Sequence, residues 1–413
     1  MRKLSIVCHF FLILGLVLIS KNSFGQNTGL KMGFYPLSGA SAAIDFAPLT
    51  KIMPKVRIIA LGESFHTSEG FHQERDRAIK FLVTKWHVRT ILLETPWAEA
   101  LIASQYVQSC KGNPQEAVDS FLDIWRSKTF AGTLKWLCNY NLAHPNDKVS
   151  FNGIDIQDPW ADAKILRAYI SKLSASPTNI WEGITKCVGA SSSLLEDFKQ
   201  SNEWNQYVKN NKLVPESDNS QCLGALASLK NITNGQRVII AATSLSAWQQ
   251  RWFLIGRDNT KALNARDEGM SEMFQSLYSR SHSKRTILIG HNYHIAMASV
   301  PGTNLIPLGN LLKEKYGSAY EAVGLIGYDV RSNWSGTQFQ DQTPPLIEDS
   351  VESYIHNLHL GNILLDAQLI FPGVTLTNIY NNGVPQPTLV KDQFRALLFL
   401  DYSGPMIRFT QGD

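Results

Sequence analysis

The chain contains the stretch Val56-Arg57-Ile58-Ile59-Ala60-Leu61-Gly62-Glu63-Ser64-Phe65-His66, in which a short apolar run ends in polar and ionisable side chains. Residues 56–61 are almost continuously apolar rather than alternating, which is typical of a strand that is buried on both faces. Strands of this kind occur in parallel sheets that helices cover on both sides. The stretch therefore predicts an α/β fold with ionisable groups at the carboxyl end of a buried strand.

Further short apolar runs are predicted to be strands of the same sheet. They are Thr90–Leu93, Val149–Ile154, Val238–Ala242, Thr286–Ile289, Ala322–Ile326 and a last one near Leu397–Leu400. Between them lie segments with helical periodicity, at about Phe71–Lys85, Ala98–Cys110, Asp158–Leu173 and Ala265–Arg280. Because strands alternate with helices, we expect a largely parallel central sheet flanked by helices.

Two segments depart from this alternation. The range 179–235 is rich in Ser, Asn, Lys and Trp and has no strong strand pattern, so we expect a helical insertion that flanks the sheet. After Tyr328 the composition turns to Asn, Pro, Gly and Thr, as in Asn381-Asn382-Gly383-Val384-Pro385, which predicts a loop-rich C-terminal part. We expect residues 26–413 to form one α/β domain that includes both segments.

The N-terminus has the order of a secretory signal peptide. Arg2 and Lys3 precede the apolar run Phe10–Ile19, and Ser23, Phe24 and Gly25 follow, with small residues at 23 and 25. The run is shorter than the roughly 20 apolar residues that span a bilayer, although an uncleaved anchor is the alternative. We predict a signal peptide at 1–25 and an exported protein, periplasmic or secreted, with no stable membrane anchor after cleavage.

The charge of the mature chain argues against nucleic-acid binding. Residues 1–25 contain three basic residues and no acidic one, so their removal leaves 36 of the 39 basic residues against 35 acidic residues. The sequence has no basic stripe and no nucleic-acid-binding motif. Its 44% hydrophobic and 18% charged content is that of an ordinary globular protein.

Four cysteines follow the predicted signal peptide, namely Cys110, Cys138, Cys187 and Cys222. Disulfides persist in exported proteins, and four cysteines allow more than one pairing. None of them forms a Cys-x-x-Cys pair, which argues against a thiolate metal site. We expect one or two structural bridges or buried thiols.

Ionisable residues follow four of the predicted strands. Glu63 and His66 come after the first strand, Glu94 and Asp155 after the next two, and His291-Asn292-Tyr293-His294 after a fourth. Ligands of open α/β sheets bind beyond the carboxyl ends of the strands. The four strand ends therefore predict one functional site at a single edge of the sheet.

The residue types at this edge suit the activation of water. A carboxylate such as Glu63 can orient an imidazole and raise its basicity, so that His66 takes a proton from water. His291 and His294 could bind a carbonyl oxygen, protonate a leaving alcohol or hold a metal. Arg75, on the next helix, could neutralise an oxyanion, and Arg266-Asp267 could act in the same way or form an ordinary solvated helix face.

Other catalytic signatures are absent from the sequence. There is no Gly-x-Ser-x-Gly nucleophile elbow, no phosphate-binding Gly-x-x-x-x-Gly-Lys-Ser/Thr loop and no His-Glu-x-x-His zinc motif. Ser64 could be proposed as a nucleophile, but a serine beside a turn more often serves the turn itself.

With these motifs the sequence resembles the erythromycin esterase family. The matches run in order from about Val56 to Ile326 and are specific only in combination. They are Gly62, Glu63 and His66 with Arg75 nine residues later, Glu94 and Trp97, Gly153 and Asp155, Asn264, Arg266, Asp267 and Met270, His291, Asn292 and His294, and Pro307 and Gly309.

The resemblance implies hydrolysis of the macrolactone ester of erythromycin-like macrolide antibiotics, and hence antibiotic resistance. In this interpretation His66 is the general base, Glu63 orients it, and Arg75, His291 and His294 shape the site and stabilise charge. Further residues are expected to contact the substrate, namely Glu94, Trp97, Asp155, Arg266 and Asn292. The resemblance implies neither a cofactor nor a metal.

The sequence departs from the family pattern at two positions. The family usually has a glycine directly after the first histidine, where this chain has Thr67, and an alanine before His-Asn-x-His, where it has Gly290. Three alternatives to the esterase remain open. They are a metal-dependent hydrolase that uses His66, His291 and His294, an exported haem- or iron-binding protein of related fold, and a non-catalytic surface protein.

Overall fold

The computed structural model describes residues 33–39, 42–173, 178–187, 213–281, 285–332, 348–371, 377–382 and 384–409. The predicted signal peptide lies outside these residues. Among the described residues, no helix has the length and apolar character that a membrane span requires.

The described residues contain ten strands, eight of which form one sheet. The strands are β1 Phe34–Pro36, β2 Ile58–Leu61, β3 Val88–Pro96, β4 Ser150–Asp155, β5 Arg285–Ile289, β6 Tyr320–Val330, β7 Ile363–Asp366, β8 Thr377–Asn381, β9 Val384–Thr388 and β10 Ala396–Ser403. The large sheet has the order β1-β7-β10-β6-β2-β5-β3-β4, and β8 pairs with β9 in a separate antiparallel hairpin.

The sheet is parallel from β10 to β4 and antiparallel only where β7 pairs with β10 and β1. Helices lie between its strands. They are α1 Ala42–Phe46, α2 Leu49–Ile52, α3 Glu69–Lys85, α4 Leu101–Ser109, α5 Pro114–Asp119, α6 Lys128–Ala143, α7 Pro159–Ile170, α8 Thr178–Cys187, α9 Glu216–Ile232, α10 Gln236–Leu254, α11 Asn259–Tyr278, α12 Asn292–Ile295, α13 Leu308–Tyr316, α14 Val351–His356, α15 Ala367–Ile370 and α16 Val390–Gln393. The predicted α/β class, with a largely parallel sheet flanked by helices, is confirmed.

The core explains why the strand sequences are continuously apolar. Ile58 and Ala60 of β2 pack into one hydrophobic cluster, whereas Ile59 and Leu61 pack into a second cluster on the opposite face of the sheet. Side chains of a strand alternate between the two faces, and both faces of this sheet are covered by helices. Neither face could therefore accept a polar residue in the middle of β2.

The predicted strand at Val238–Ala242 is wrong. These residues lie inside α10, whose buried side chains continue at helical spacing through Leu245, Trp248 and Trp252. An apolar run of five residues does not by itself distinguish a strand from a buried helical turn, and here the longer helical period prevails.

The two unusual segments also contain regular structure. In the predicted insertion, 179–235, the described residues include α8 and α9, which a Cys187–Cys222 disulfide joins. A second disulfide, Cys110–Cys138, connects the end of α4 to α6. After Tyr328 the chain is loop-rich as expected, but it also forms α14, β7 and the β8–β9 hairpin.

Glu352, on α14, is a buried carboxyl group beneath this hairpin. It is 2% exposed, and its Oε1 accepts a hydrogen bond from the backbone N–H of Tyr380 at 3.0 Å. Burial raises the pKa of Glu352 from an ordinary 4.5 to about 8. The folded protein therefore holds a proton that the unfolded chain releases at lower pH.

We expect the free energy of unfolding to fall as pH rises from 4.5 towards 8 because of this group, by up to about 1.4 kcal/mol per pH unit. Glu352→Gln should remove this dependence and be more stable than the wild type at alkaline pH, with little difference at acid pH. Urea unfolding across the range measures both slopes. Glu314→Gln, an exposed change on α13, is the control. Parallel slopes for wild type and Glu352→Gln would contradict the assignment.

Candidate active site

The four strands that end in ionisable residues are direct neighbours in the sheet. Their order is β2, β5, β3 and β4, and all four run in parallel. Their carboxyl ends therefore meet at one edge, where the structure brings together the ionisable residues that the sequence predicted. His66, His291 and His294 are 7%, 6% and 8% exposed, whereas Glu63 and Asp155 are fully buried. The imidazoles thus border the surface and the acids lie behind them.

Glu63 and His66 form a dyad just beyond β2. The Nδ1 of His66 lies 2.8 Å from Oε1 of Glu63. Because a carboxylate only accepts hydrogen bonds, Nδ1 carries the proton and the lone pair of the neutral ring is on Nε2. This is the arrangement in which a carboxylate orients a histidine as a general base.

Arg75 supports the dyad from behind. Its Nη1 donates to Oε2 of Glu63 at 2.6 Å, and its guanidinium carbon lies 4.9 Å from the centre of the Trp125 ring. Burial alone would raise the pKa of Glu63, but the charges of Arg75 and His66 outweigh burial and hold that pKa below its ordinary value. Arg75 is only 1% exposed, so in this structure it stabilises Glu63 rather than facing a ligand.

His72 completes this side of the site and was not predicted from the sequence. Its Nδ1 accepts a hydrogen bond from Nη2 of Arg75 at 2.9 Å. Burial, together with the neighbouring charge of Arg75, lowers the pKa of His72 well below its ordinary value, so the ring is neutral. The available sequence signal was its spacing, one helical turn before Arg75 on α3.

Arg266 is the centre of a second buried network. Its Nη2 donates to Oδ2 of Asp155 at 2.7 Å and to Oε1 of Glu94 at 2.8 Å. Burial would lower its pKa, but Asp155 and Glu94 outweigh burial and raise it. For Glu94, burial would raise the pKa, but His294 and Arg266 hold it well below its ordinary value. Arg266 and Glu94 are therefore both charged at neutral pH.

His294 connects this network to a second histidine–carboxylate dyad. Its Nδ1 lies 2.7 Å from Oδ1 of Asp267, and its Nε2 lies 2.7 Å from Nη1 of Arg266 and 3.3 Å from Oε1 of Glu94. The neutral ring accepts from Arg266, and the protonated ring can donate to Glu94. Burial would lower the pKa of His294, but Asp267 and Glu94 outweigh burial and raise it.

His291 lies between the two dyads and stays neutral. Its ring centre is 4.9 Å from that of His66. Its Nδ1 accepts from the backbone N–H of Tyr293 at 3.3 Å, so Nε2 carries the proton and points to the carbonyl oxygen of Ser64, also at 3.3 Å. Burial and the neighbouring His66 lower the pKa of His291 to about 3. The neutral ring thus forms a wall beside His66 and is a weak base.

Two other predicted residues, Asn292 and Trp97, have structural contacts. The amide of Asn292 pairs with the backbone of Leu325, accepting at 3.2 Å and donating at 2.9 Å. Trp97 is 3% exposed and packs in the core. The hydroxyl of Ser64 is buried and has no hydrogen-bond partner among the described residues, which argues against Ser64 as the nucleophile. The substrate-binding roles of Asn292 and Trp97 remain predictions.

Arg251 and Gln157 also border the second network and were missed. Arg251 donates to Oε1 of Gln157 at 3.2 Å, and Gln157 donates to Oδ2 of Asp155 at 2.9 Å. Burial and the nearby charge of Arg266 lower the pKa of Arg251 to about 10. Arg251 lies on α10, beyond the wrongly predicted strand at Val238–Ala242 and in a stretch for which no element was predicted, so its side chain could not be placed from the sequence.

The described residues contain no group of three or more His, Cys, Asp or Glu side chains arranged to hold a metal ion. Each of the three imidazoles at the edge instead has a nitrogen bonded within the protein.

The sequence matches a model of the erythromycin esterase family over residues 83–397. This span includes Glu94, Asp155, Arg266, His291 and His294, whereas Glu63, His66 and Arg75 precede it. Erythromycin esterase type II from Escherichia coli is 22% identical over 352 residues, which are 77% of this chain and 82% of that protein.

Solved structures share the fold. A succinoglycan biosynthesis protein superposes with a TM-score of 0.75 at 16% identity, covering 92% of this chain and 98% of that one. A mutant of the erythromycin esterase EreC in its open conformation superposes with a TM-score of 0.67 at 20% identity, covering 88% and 95% of the two chains. At these identities the likeness shows the architecture alone.

The glycine before Glu63 generates a prediction about how the site is assembled. A Cβ at Gly62 would lie 2.0 Å from Oδ1 of Asn292, so Gly62→Ala must displace the amide that joins α12 to Leu325 of β6. We expect a loss of about 1–3 kcal/mol in the free energy of unfolding, measured in urea.

The matched control is Gly132→Ala on α6, where a Cβ meets nothing within 4 Å and the helix should gain roughly 0.5–1 kcal/mol. Equal stability of wild type and Gly62→Ala would show that Asn292 moves without cost.

Proposed function

The chain belongs to the erythromycin esterase family, and we propose that it hydrolyses the macrolactone ester of erythromycin-like macrolides, with His66 as the base that activates water. The observation that carries this proposal is the Glu63–His66 dyad, in which a buried, arginine-supported carboxylate fixes the tautomer of a solvent-bordering imidazole. Membership of the family supports ester hydrolysis, and the dyad supplies the chemical group that such a reaction requires.

In the first step, Nε2 of His66 takes a proton from water as the water oxygen attacks the ester carbonyl carbon. The developing imidazolium is stabilised by Glu63, whose own charge is held by Arg75. Attack by water accords with the buried hydroxyl of Ser64 and with the absence of a nucleophile elbow in the sequence. No covalent acyl-enzyme is formed in this mechanism.

In the second step, the tetrahedral intermediate collapses and the bond from the carbonyl carbon to the alcohol oxygen breaks. His294 supplies the proton to the leaving alkoxide, because Asp267 and Glu94 raise its pKa. The neighbouring Arg266 contributes positive charge at the same wall while the oxyanion exists. The product is the ring-opened hydroxy acid, which differs from the substrate by one added water. Transfer of a proton from His66 back to His294 through solvent restores both rings for the next turnover.

We also propose that the protein acts after export, so that the drug is hydrolysed before it reaches the cytoplasm. The basic, apolar and small-residue order of the N-terminus supports export. The Cys110–Cys138 and Cys187–Cys222 disulfides add support, because such bonds persist in oxidising compartments.

The purified protein should convert erythromycin to a product that is heavier by one water, as measured by mass spectrometry. His66→Gln should lower kcat at least about a hundred-fold, because it removes the base while retaining a polar side chain of similar size. His144→Gln, an exposed histidine on the surface, should retain wild-type activity. Intact 14- and 16-membered macrolides after incubation with wild-type protein would refute the substrate, and full activity of folded His66→Gln would refute the mechanism.

Chelation should leave the activity unchanged. Nδ1 of His291 accepts from the backbone N–H of Tyr293 and Nε2 of His294 accepts from Arg266, so two of the three imidazole lone pairs at this edge are already used within the protein. Activity is compared before and after exhaustive dialysis against EDTA, with EDTA-treated protein resupplied with zinc or manganese as the control. Loss of activity that one of these metals restores would favour the metal-dependent alternative.

A further inference from the structure

Asn382, in the turn of the β8–β9 hairpin, forms hydrogen bonds to the backbone of the segment 64–66. The backbone N–H of Asn382 donates to the carbonyl oxygen of Ser64 at 2.7 Å, and Oδ1 of Asn382 accepts from the backbone N–H of His66 at 3.2 Å. Asn382 has a φ of +50°, a left-handed conformation that asparagine tolerates better than most residues. One residue therefore bonds to both sides of Phe65.

The other side of the His66 backbone is also held. The hydroxyl of Ser332, just beyond β6, donates to the carbonyl oxygen of His66 at 3.0 Å and lies 2.7 Å from Oγ1 of Thr67. Asn382 and Ser332 are far from His66 in sequence, so these contacts form only when the fold is complete. Glu63 orients the ring of His66, while these two residues hold its backbone.

The hairpin is anchored well enough to act as such a support. Ile379 and Tyr380 are 2% and 5% exposed, and Ser350 forms a bridge with Asn378. Its inner side also packs on the opposite wall, where Ile379 and Pro387 line a small cavity with Tyr293. The hairpin therefore spans from the His66 segment to the segment that carries His294.

We propose that Asn382 is a positioning residue of this active site, which holds the His66 backbone so that the imidazole stays aligned on Glu63. The proposal rests on the proposed role of His66 as the base. It makes the hairpin tip part of the catalytic apparatus, although the hairpin lies far from the strand-end motifs in sequence and contributes no side chain to the dyads.

The physical reason is that the ring position of His66 depends on the orientation of its backbone. The 2.8 Å contact between Nδ1 of His66 and Oε1 of Glu63 requires a fixed relation between two residues that are only three positions apart on an irregular turn. A backbone N–H that loses its acceptor will rotate towards another one, and the ring must move with it.

Asn382→Gly is the informative variant, because glycine keeps the left-handed backbone and the N–H donor but removes Oδ1. We expect kcat for ester hydrolysis to fall about ten-fold, which corresponds to about 1.4 kcal/mol, with KM within about two-fold of the wild type. Asn382→Asp retains the acceptor oxygen and should recover most of kcat. Val384→Thr on the same hairpin, at a position 64% exposed, should match the wild type.

A second measurement does not depend on any substrate. In protein labelled with ¹⁵N-histidine, the His66 ring is identified by the signals missing from His66→Gln. The wild type should show a single ring species protonated at Nδ1, and Asn382→Gly should show a mixture of tautomers or a broadened Nδ1–H signal. Thermal unfolding of every variant verifies that the compared proteins are folded.

The outcomes separate this proposal from the proposed function. Altered His66 signals in Asn382→Gly support positioning even when no macrolide is hydrolysed, in which case only the substrate is wrong. Unchanged His66 signals overturn positioning, whatever the activity. A rise in KM at constant kcat also overturns it, because the hairpin would then contact substrate rather than align the base.

Discussion

Glu63 is a carboxylate with no exposed surface, placed between the guanidinium of Arg75 and the imidazole of His66. A buried, unpaired charge would cost several kcal/mol, so Glu63 can be ionised only if Arg75 is brought against it. Arg75 in turn must be covered, and Trp125 packs against its guanidinium. The packing of α3 against the sheet and the ionisation of the dyad are therefore one structural event. Any change that separates α3 from the end of β2 should also raise the pKa of Glu63, because it removes the arginine that lowers it.

A histidine oriented by a carboxylate, with an arginine nearby, occurs twice at this edge of the sheet. On one wall Arg75 supports Glu63, which orients His66, and on the other wall Asp267 orients His294 beside Arg266. The electrostatic surroundings of the two imidazoles differ. His294 faces two carboxylates that raise its pKa, whereas the carboxylate of the His66 dyad is already neutralised by arginine. His294 is thus suited to hold a proton, whereas His291, whose ring centre is 4.9 Å from that of His66, stays neutral.

The sequence predicted the part of the site that depends on strands, because a buried parallel strand has a recognisable composition and its carboxyl end has a fixed location. Glu63, Glu94, Asp155 and His291 were placed at one edge for that reason, without knowledge of strand order.

Contacts that depend on how loops dock could not be predicted in this way. Asn382 lies in a stretch whose turn composition was evident, yet nothing local indicates that the turn docks on Ser64. The strand predicted at 238–242 failed for the converse reason, because five apolar residues fit a buried helix equally well.

The two departures from the family pattern have a structural explanation. Thr67 has a φ of +61°, a conformation that glycine adopts without strain and that a β-branched residue adopts only at a cost. Its hydroxyl lies 2.7 Å from that of Ser332, which also bonds the His66 backbone. The hydroxyl contact, which a glycine could not make, thus offsets the backbone strain at Thr67.

At Gly290 a Cβ would lie 3.0 Å from Oε2 of Glu94, the oxygen that accepts from the backbone N–H of His291. An alanine there would be in tight contact with this carboxylate, which would have to shift by a few tenths of an ångström, so glycine at 290 favours the present position of Glu94.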